Sequence, residues 1–466
     1  MVGRDEQQKE LENYLNSDRS EFIIITGRRR IGKTFLINEL YKDKFSFYYT
    51  GGHNLSKQRQ LKSFALALQK YGKLTITPTI KDWFEAFQLL QHILEKDRKR
   101  NKKIIFIDEM PWIDTPKSEF VTALEQFWNS WASQQRDIFF VASGSATSWM
   151  ADKLYTNQGG LHNRITHRIH LQPFTLHESE QYLQSIGCKW DKYQQVQAYM
   201  IFGGIPFYLS LISPKESLAQ NVDRLFFSAN AQLRKEFDEL YPALFAHSEN
   251  YIQVVRTLAE KRSGMTRAEI IQKTSLQGST LTKILNNLCL CDFVVDYAQY
   301  SHIKQGTIYR LADFYTLFYL HFIEKDNKKD IHRWTHIIQT PKVNSWQGIS
   351  FELVCLTHLQ QIKHALGIDG IETATSTWRN EDMQIDLIIE RGDRLINLCE
   401  IKFSKEPYTI SKEYAEHIRL RAALFRDKTK TRKGLINTFI TTYGTLQGKN
   451  NGIVDSEIKM EQLFHS

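Results

Sequence analysis

The sequence lacks the features that mark secreted, disulfide-stapled and membrane-spanning proteins. Its 466 residues include five cysteines, and no two of them form a CxxC pair. This excludes a zinc ribbon and gives no sign of a disulfide framework, so we expect a reducing, cytoplasmic setting. No apolar run approaches the length that crosses a bilayer, and the polar N-terminus has no signal-peptide core. We therefore expect no membrane partner.

Positive charge is present in excess. The chain has 61 Lys and Arg against 52 Asp and Glu, a formal net charge of +9 at pH 7. Such a surplus permits contact with nucleic acid but does not require it. A basic run over residues 96–103 is either a solvated loop or such a contact. The hydrophobic content of 42% is ordinary, and the length predicts two to four domains.

The strongest pattern is Gly27-x-x-x-x-Gly32-Lys33-Thr34, the phosphate-binding loop. A short apolar strand precedes it and a helical pattern follows. Such a junction directs backbone N–H groups and the positive end of a helix dipole at one point, which attracts a phosphate. We expect Lys33 to reach the β- and γ-phosphates of a nucleotide and Thr34 to offer its hydroxyl to Mg²⁺. Phe35, the next residue, is a further candidate for nucleotide contact.

Two carboxylates follow a second apolar run, over residues 104–107. In open α/β sheets, ligands lie just beyond the carboxyl ends of the strands, so Asp108 and Glu109 should face the nucleotide. Asp108 is the candidate for holding Mg²⁺. Glu109 is the candidate for orienting or deprotonating the attacking water.

Two further stretches offer residues that would sense the γ-phosphate. The next apolar strand ends in Ser143 and Ser145, and the pattern does not choose between them. A loop before the last strand of the region carries Arg164 and Arg168. We take Arg164 as the candidate for a γ-phosphate sensor or an arginine finger.

The order of apolar and helical patterns predicts the domain organisation. Strands and helices alternate over residues 20–172, which indicates a parallel sheet with helices on both faces. The predicted class is therefore α/β: a P-loop NTPase sheet with a helical lid, a winged helix and a C-terminal α/β domain, for which the resemblance given below implies a nuclease-like fold. The expected boundaries are 1–173 for the ATPase core, 174–245 for the lid, 246–325 for the winged helix and 340–466 for the C-terminal domain.

The winged helix is expected over residues 250–311, with a wing formed by residues 293–309. Its third helix is predicted to present four polar side chains outward: Thr280, Lys283, Asn286 and Asn287. That helix either enters a DNA major groove or belongs to a packing and regulatory unit.

The C-terminal region contains a second candidate site. Glu400 and Lys402 are two residues apart on a predicted strand, so they face the same side, and Asp386 lies on the paired strand. Asp386 and Glu400 can share a divalent cation, Glu352 from an upstream helix can complete its shell, and Lys402 can stabilise phosphate charge. The alternative is a surface hairpin with a salt bridge to Lys402.

Taken in order, the motifs of the first half resemble the archaeal-type ATPase family, a member of the AAA+/STAND class of P-loop NTPases. They are Val-Gly-Arg-Asp-Glu, Gly-Arg-Arg-Arg-Ile-Gly-Lys-Thr, Ile-Ile-Phe-Ile-Asp-Glu, Ser-Gly-Ser, Leu-x-x-Arg-Ile-x-x-Arg-Ile and Gly-Gly-Ile-Pro. The resemblance covers residues 1–240. It implies that ATP is the nucleotide, that Gly3 and Arg4 line its adenine side, and that Pro206 contacts the base from the lid.

The pattern formed by Glu352, Asp386, Glu400 and Lys402 resembles the PD-(D/E)XK nuclease superfamily, although Ile385 stands where the superfamily has proline. The resemblance implies a metal-dependent nuclease, or an inactive member that only grips nucleic acid. The expected protein is thus an ATP- and Mg²⁺-binding ATPase whose C-terminal half acts on or binds DNA or another nucleic acid. The alternatives are an ATP-dependent signalling switch and a transcriptional regulator with a non-cleaving C-terminal domain. A finger arginine acts between subunits, so a homo-oligomer is also expected.

Overall fold

The computed structural model describes residues 2–97, 101–145, 147–155, 161, 163–261, 263–300, 306–326, 330–380 and 383–465. They form two compact units, Met1–Gln172 and Pro173–Ser466. Part of the basic run at 96–103 and part of the expected wing at 293–309 lie outside the described residues.

The first unit contains a five-stranded parallel sheet in the order β2-β3-β4-β1-β5. Its strands are β1 (Glu21–Thr26), β2 (Phe45–Thr50), β3 (Lys103–Asp108), β4 (Ile138–Gly144) and β5 (His167–His170). Its helices are α1 (Asp5–Leu15), α2 (Lys33–Tyr41), α3 (Lys57–Gly72), α4 (Trp83–Lys96), α5 (Met110–Ile113), α6 (Phe120–Ser130) and α7 (Thr147–Met150). The predicted alternation of strands and helices is confirmed.

The apolar runs of this unit form strands inside the sheet, where helices cover both faces and remove the apolar side chains from water. Every residue of β1, β3 and β4 is buried, as expected for parallel strands covered on both faces. Phe22 of β1 packs against Phe140 and Trp128, with ring centroids 4.7 and 4.9 Å apart. The register pairs Thr26 with Gly144, so β1 and β4 end at the same edge of the sheet.

The second unit begins with helices. They are α8 (Leu176–Ser185), α9 (Lys192–Phe202), α10 (Pro206–Ser210), α11 (Leu218–Val222) and α12 (Gln232–Leu240). A compact group of three helices and three short strands follows: α13 (Ser248–Ala259), β6 (Met265–Thr266), α14 (Arg267–Thr274), α15 (Gly278–Leu290), β7 (Val294–Tyr297) and β8 (Ile308–Leu311). The strands form an antiparallel sheet in the order β6-β8-β7. Two short helices, α16 (Phe314–Phe318) and α17 (Arg333–Ile337), lead on to the C-terminal region.

One outward side chain predicted for α15 is wrong. Asn287 is buried and donates a hydrogen bond to the Tyr251 hydroxyl at 2.8 Å. The reason is helical spacing: Asn287 lies three residues after the buried Ile284 and therefore on the same face. The other three predicted side chains, Thr280, Lys283 and Asn286, are exposed.

The C-terminal part of this unit is a mixed five-stranded sheet in the order β13-β12-β11-β10-β9. Its elements are α18 (Pro341–Thr357), α19 (Leu359–Ala365), β9 (Thr373–Arg379), β10 (Gln384–Arg391), β11 (Leu395–Lys402), α20 (Lys412–Thr429), β12 (Gly434–Thr441) and β13 (Ser456–Lys459). The strands β9, β10 and β11 are antiparallel, whereas β11, β12 and β13 are parallel.

The segment after β7 pairs with the edge of this sheet. Gln299 forms a parallel bridge with Thr377 of β9, and Tyr300 N–H donates to the Thr377 carbonyl at 2.8 Å. The Tyr300 ring packs on Phe425 of α20, with centroids 5.0 Å apart. These contacts join the three-helix group to the C-terminal sheet. Within the described residues, no helix is both long and apolar enough to cross a membrane.

Candidate functional site

The loop between β1 and α2 depends on two glycines. Gly27 has φ = 138° and Gly32 has φ = 91°, conformations that L side chains rarely adopt. A Cβ at Gly27 would lie 2.4 Å from the Leu171 carbonyl oxygen, so β1 and the chain after β5 approach too closely for a side chain there. A Cβ at Gly32 would meet no atom within 4 Å. One glycine is thus required by packing, and the other borders open space.

Lys33 lies at the N-terminus of α2 and points back into the loop. Its side chain is buried, and its ammonium donates to the carbonyl oxygens of Gly27 and Arg28 at 2.9 and 3.0 Å. It also donates to Ser145 Oγ at 2.9 Å. Two backbone carbonyls and a serine hydroxyl therefore hold the ammonium in the loop.

Thr34 and Asp108 bring hard oxygen atoms together. Thr34 Oγ1 donates to Asp108 Oδ2 at 2.8 Å, and Ser143 Oγ donates to the other carboxylate oxygen, Oδ1. Burial raises the pKa of Asp108, and the neighbouring Glu109 carboxylate adds to that rise. The hydroxyls of Ser143 and Thr34 act in the opposite direction, because they donate to the ionised carboxylate.

Glu109 is held in one orientation by Ser145. It adopts φ = 49°, and its two carboxylate oxygens accept from the Ser145 hydroxyl at 2.5 Å and from the Ser145 N–H at 3.1 Å. The same serine hydroxyl accepts from Lys33. The sequence left Ser143 and Ser145 as alternatives; the first contacts Asp108, whereas the second links Lys33 to Glu109.

The N-terminal motif also reaches this loop. Arg4 is buried, and its guanidinium donates to the Ile31 carbonyl at 3.3 Å. Gly3 precedes it and accepts a hydrogen bond from Gln8 at 2.9 Å. Phe35 lies on the first turn of α2 with 57% of its surface exposed. Contact of these three residues with a nucleotide stays a prediction.

The two remaining predicted residues of the ATPase are Arg164 and Pro206. Arg164 is exposed in the turn before β5, and its backbone N–H donates to the Leu161 carbonyl at 3.0 Å. Pro206 is the first residue of α10 and belongs to the second unit. The finger and lid roles of these residues stay predictions.

In the C-terminal sheet, Glu400 is the centre of a charge cluster. Its Oε1 accepts from Lys402 at 2.9 Å and from the Tyr414 hydroxyl, and its Oε2 accepts from the Arg421 guanidinium. Burial works to raise the pKa of Glu400, but Arg421 and Lys402 outweigh it and lower the pKa to about 2. The carboxylate is therefore ionised and fully engaged.

The three carboxylates expected to hold a metal do not form one cluster. Glu352 pairs with Arg310 of β8 at 3.6 Å, and Glu400 pairs with Arg421. Asp386 accepts a hydrogen bond from Gln384, two residues earlier on β10. Among the described residues, no group of three or more His, Cys, Asp or Glu side chains is arranged to hold a metal ion. Two of the three acids are paired with arginines instead.

Sequence patterns missed the partners of Glu400. Tyr414 and Arg421 both lie on α20, seven residues apart and so on one face of the helix. Arg421 is 4% exposed and lies on the apolar face formed by Ala415, Ile418 and Phe425. The signal that could have found this ion pair is a single charged residue inside an apolar helical stripe.

The geometry of the first unit is that of a nucleotide-binding P-loop, and the comparison with known families agrees. Residues 1–212 match the family described as an ATPase domain predominantly from Archaea. The matched ATPase domain thus covers the whole first unit and the first helices of the second.

Similar proteins extend beyond that domain. An uncharacterised protein of Methanocaldococcus jannaschii is 26% identical over 411 residues, covering 86% of this chain and 87% of that protein. A Walker-type ATPase of Pyrococcus abyssi is 18% identical with a TM-score of 0.51, and the match covers 69% of this chain and 96% of that one. This second likeness shows a shared fold. The ORC2 protein of Aeropyrum pernix, solved in ADPNP–ADP complexes, is 15% identical over 69% of this chain and 93% of that one. The TM-score of this match is 0.42.

Proposed function

We propose that the first unit binds and hydrolyses ATP. The observation that carries this proposal is one continuous network at the carboxyl edge of the parallel sheet. Ser145 joins Lys33 to Glu109, and Asp108 accepts from both Thr34 and the Glu109 backbone N–H. A cation, a metal-binding carboxylate and a second carboxylate thus converge beside a glycine loop, which is the set of groups that phosphoryl transfer requires.

The donor set fits a hydrated Mg²⁺. Thr34 Oγ1 and Asp108 Oδ2 are 2.8 Å apart, and adjacent ligands of an octahedral site with bonds of about 2.0–2.1 Å are separated by about 2.9 Å. Both are oxygen ligands of the kind that Mg²⁺ prefers. When bound, Mg²⁺ neutralises charge on the phosphates. Thr34 and Asp108 would hold it, with the Ser143 hydroxyl orienting the carboxylate.

The remaining residues have separable roles in this proposal. Lys33 and the backbone N–H groups at the start of α2 bind the phosphates, since they supply positive charge at one point. Glu109 accepts a proton from the attacking water, and Ser145 fixes the direction of its carboxylate.

A substitution of Glu109 tests the catalytic proposal. Glu109→Gln keeps the shape of the side chain but cannot accept a proton, so we expect turnover to fall by about 10²–10⁴-fold with ATP affinity retained. Glu39→Gln, on the exposed face of α2, is the matched control. Steady-state phosphate release and calorimetric ATP binding are the two measurements. Unchanged turnover in Glu109→Gln would remove this residue from the mechanism.

A second proposal concerns the other unit: its C-terminal half binds nucleic acid. The charge cluster around Glu400 carries two cations for one carboxylate, and Lys402 lies where parallel strands end, a usual place for ligands in α/β sheets. The exposed polar face of α15 offers a further contact. Binding of labelled DNA and RNA by the full chain, with and without ATP, tests this proposal.

The competing function is a switch in which ATP exchange, rather than turnover, changes the activity of the second unit. The two functions differ in one measurable respect. A switch completes about one hydrolysis per binding event and changes state with ATP alone, so Glu109→Gln would lock it rather than inactivate it. Nucleic-acid affinity measured with ATP and with ADP, in wild type and in Glu109→Gln, separates the two.

A further inference from the structure

We propose that Glu400, Lys402 and Arg421 form a metal-independent site for the phosphate groups of a nucleic-acid backbone, in which the Arg421 guanidinium occupies the position of a divalent cation. The inference rests on the second part of the proposed function, because it names the atoms through which the C-terminal half would hold its ligand. It replaces the metal-dependent chemistry that the spacing of Asp386, Glu400 and Lys402 predicted.

Protein donors already engage both oxygens of the Glu400 carboxylate. Its two oxygens accept from three donors: Lys402 and Tyr414 on one oxygen, and Arg421 on the other. The carboxylate is buried, with only 9% of the residue exposed. A metal would have to displace a buried guanidinium and leave it without a counter-ion, which is strongly unfavourable.

The group formed by Glu400, Lys402 and Arg421 has a net positive charge. One carboxylate faces two permanent cations, so a surplus of one positive charge remains. A divalent cation placed there would be repelled by both Lys402 and Arg421, whereas a phosphate would be attracted by both. Arg421 is 4% exposed, and its Nε and Nη2 make no hydrogen bond within the described part of the chain. Apart from the Nη1 contact with Glu400, its guanidinium therefore has N–H groups that no acceptor among the described residues takes up.

Glu352, which was also predicted to bind the metal, has an arginine as its partner too. Glu352 is paired with Arg310, which reaches it from β8 and is itself 5% exposed. Arg310 also approaches the Ile349 carbonyl at 3.5 Å. Glu352 and Glu400 thus each have an arginine as counter-ion, and both arginines are buried. Because the same arrangement is found at two separate acids, we infer that fixed arginines, and not an exchangeable metal ion, balance the charge of these glutamates.

A ligand in solution can reach this site through Lys402. Lys402 is the member of the cluster nearest solvent, with 32% of its side chain exposed. Its ammonium lies 4.9 Å from the centre of the Tyr414 ring and 6.0 Å from that of Tyr408. A lysine flanked by aromatic rings at the end of a strand is suited to a phosphate with a stacked base beside it. We therefore assign direct phosphate contact to Lys402, and long-range attraction to the buried Arg421.

The test is nucleic-acid binding by the full chain, measured by fluorescence anisotropy of short labelled DNA strands over a series of salt concentrations. Lys402→Gln should weaken binding about tenfold at low salt and reduce the salt slope by about one. Lys402→Arg should restore binding, since it keeps the charge. Lys428→Gln, an equal change of charge at the exposed far end of α20, should bind like wild type.

Three further arms decide between metal-dependent and metal-independent binding. Wild-type affinity should be the same in EDTA and in Mg²⁺, and circular DNA should stay intact with Mg²⁺ or Mn²⁺. Inorganic phosphate at matched ionic strength should not displace the DNA. Binding that requires a divalent metal, nicking that Lys402→Gln abolishes, or displacement by free phosphate would each overturn the inference.

The failure of this inference can be told apart from the failure of the proposed function. If DNA binds but Lys402→Gln has no effect, the site is wrong and nucleic-acid binding by the second unit stands. If wild type binds no nucleic acid at all, both fall. Thermal unfolding of each variant confirms that the fold is retained.

Discussion

Removal of the Lys33 ammonium tests the nucleotide site most directly. In Lys33→Ala, the phosphates of ATP lose a cation that α2 holds at the mouth of the loop. Two unit charges about 4 Å apart attract each other by about 4 kcal/mol at the permittivity typical of protein surfaces. Because each 1.4 kcal/mol is a factor of ten, we expect ATP affinity to fall by about 10²–10³-fold.

The same substitution should leave the fold intact. Lys33 donates to two carbonyl oxygens and to Ser145, so the substitution removes the hydrogen bonds made by one ammonium. The expected cost in stability is about 1–2 kcal/mol, which lowers the melting temperature by only a few degrees in a domain of this size.

The assay is titration calorimetry with ATP and Mg²⁺, accompanied by thermal unfolding. Lys42→Ala is the matched control: it removes the same charge from an exposed residue just after α2, about 13 Å along the helix axis from Lys33. Affinity of Lys33→Ala within threefold of wild type would refute the assignment of the loop. Equal losses in both variants would show a general charge effect instead of a phosphate contact.

Two further predictions concern stability. Gly27→Ala would place a Cβ 2.4 Å from the Leu171 carbonyl oxygen at φ = 138°, so the free energy of unfolding in urea should fall by about 2–4 kcal/mol. Gly32→Ala has φ = 91° but no atom within 4 Å of its Cβ, so the fall should be about 1 kcal/mol. Equal costs would contradict the packing argument. His358 is buried and accepts from the Leu176 N–H at 2.9 Å, and burial lowers its pKa from 6.5 to about 4. As the pH falls, the unfolded chain binds this proton before the folded chain does, so the free energy of unfolding should fall by about 3 kcal/mol between pH 6.5 and 4. His358→Gln should lose this pH dependence. His332→Gln, a change at an exposed histidine, should keep it.

Local patterns were sufficient for the architecture of the first unit. An apolar run, a glycine loop and a helix start are consecutive in sequence, so the contacts among Gly27, Lys33 and Thr34 follow from chain connectivity. Asp108 is distant in sequence, but it ends a buried strand. Parallel strands finish at one edge of a sheet, which places this carboxylate beside the loop. Periodicity likewise located β10 and β11 and their antiparallel pairing.

Patterns failed where a partner comes from another element. Ser143 and Ser145 are equivalent as a motif, and only the path of the chain after β4 gives one to Asp108 and the other to Glu109 and Lys33. Asn287 is polar, yet its spacing from Ile284 places it inside.

The amino-acid order alone established a glycine loop, the carboxylate beside it and a strand carrying Glu400 and Lys402, because each is a short pattern whose geometry comes from one element or one sheet edge. It did not establish what Glu400 and Glu352 bind. That answer came from the packing of α20 against the sheet and of β8 near α18, which set Arg421 and Arg310 against the two carboxylates. A buried charge takes its properties from the nearest opposite charge, and long-range folding selects that neighbour.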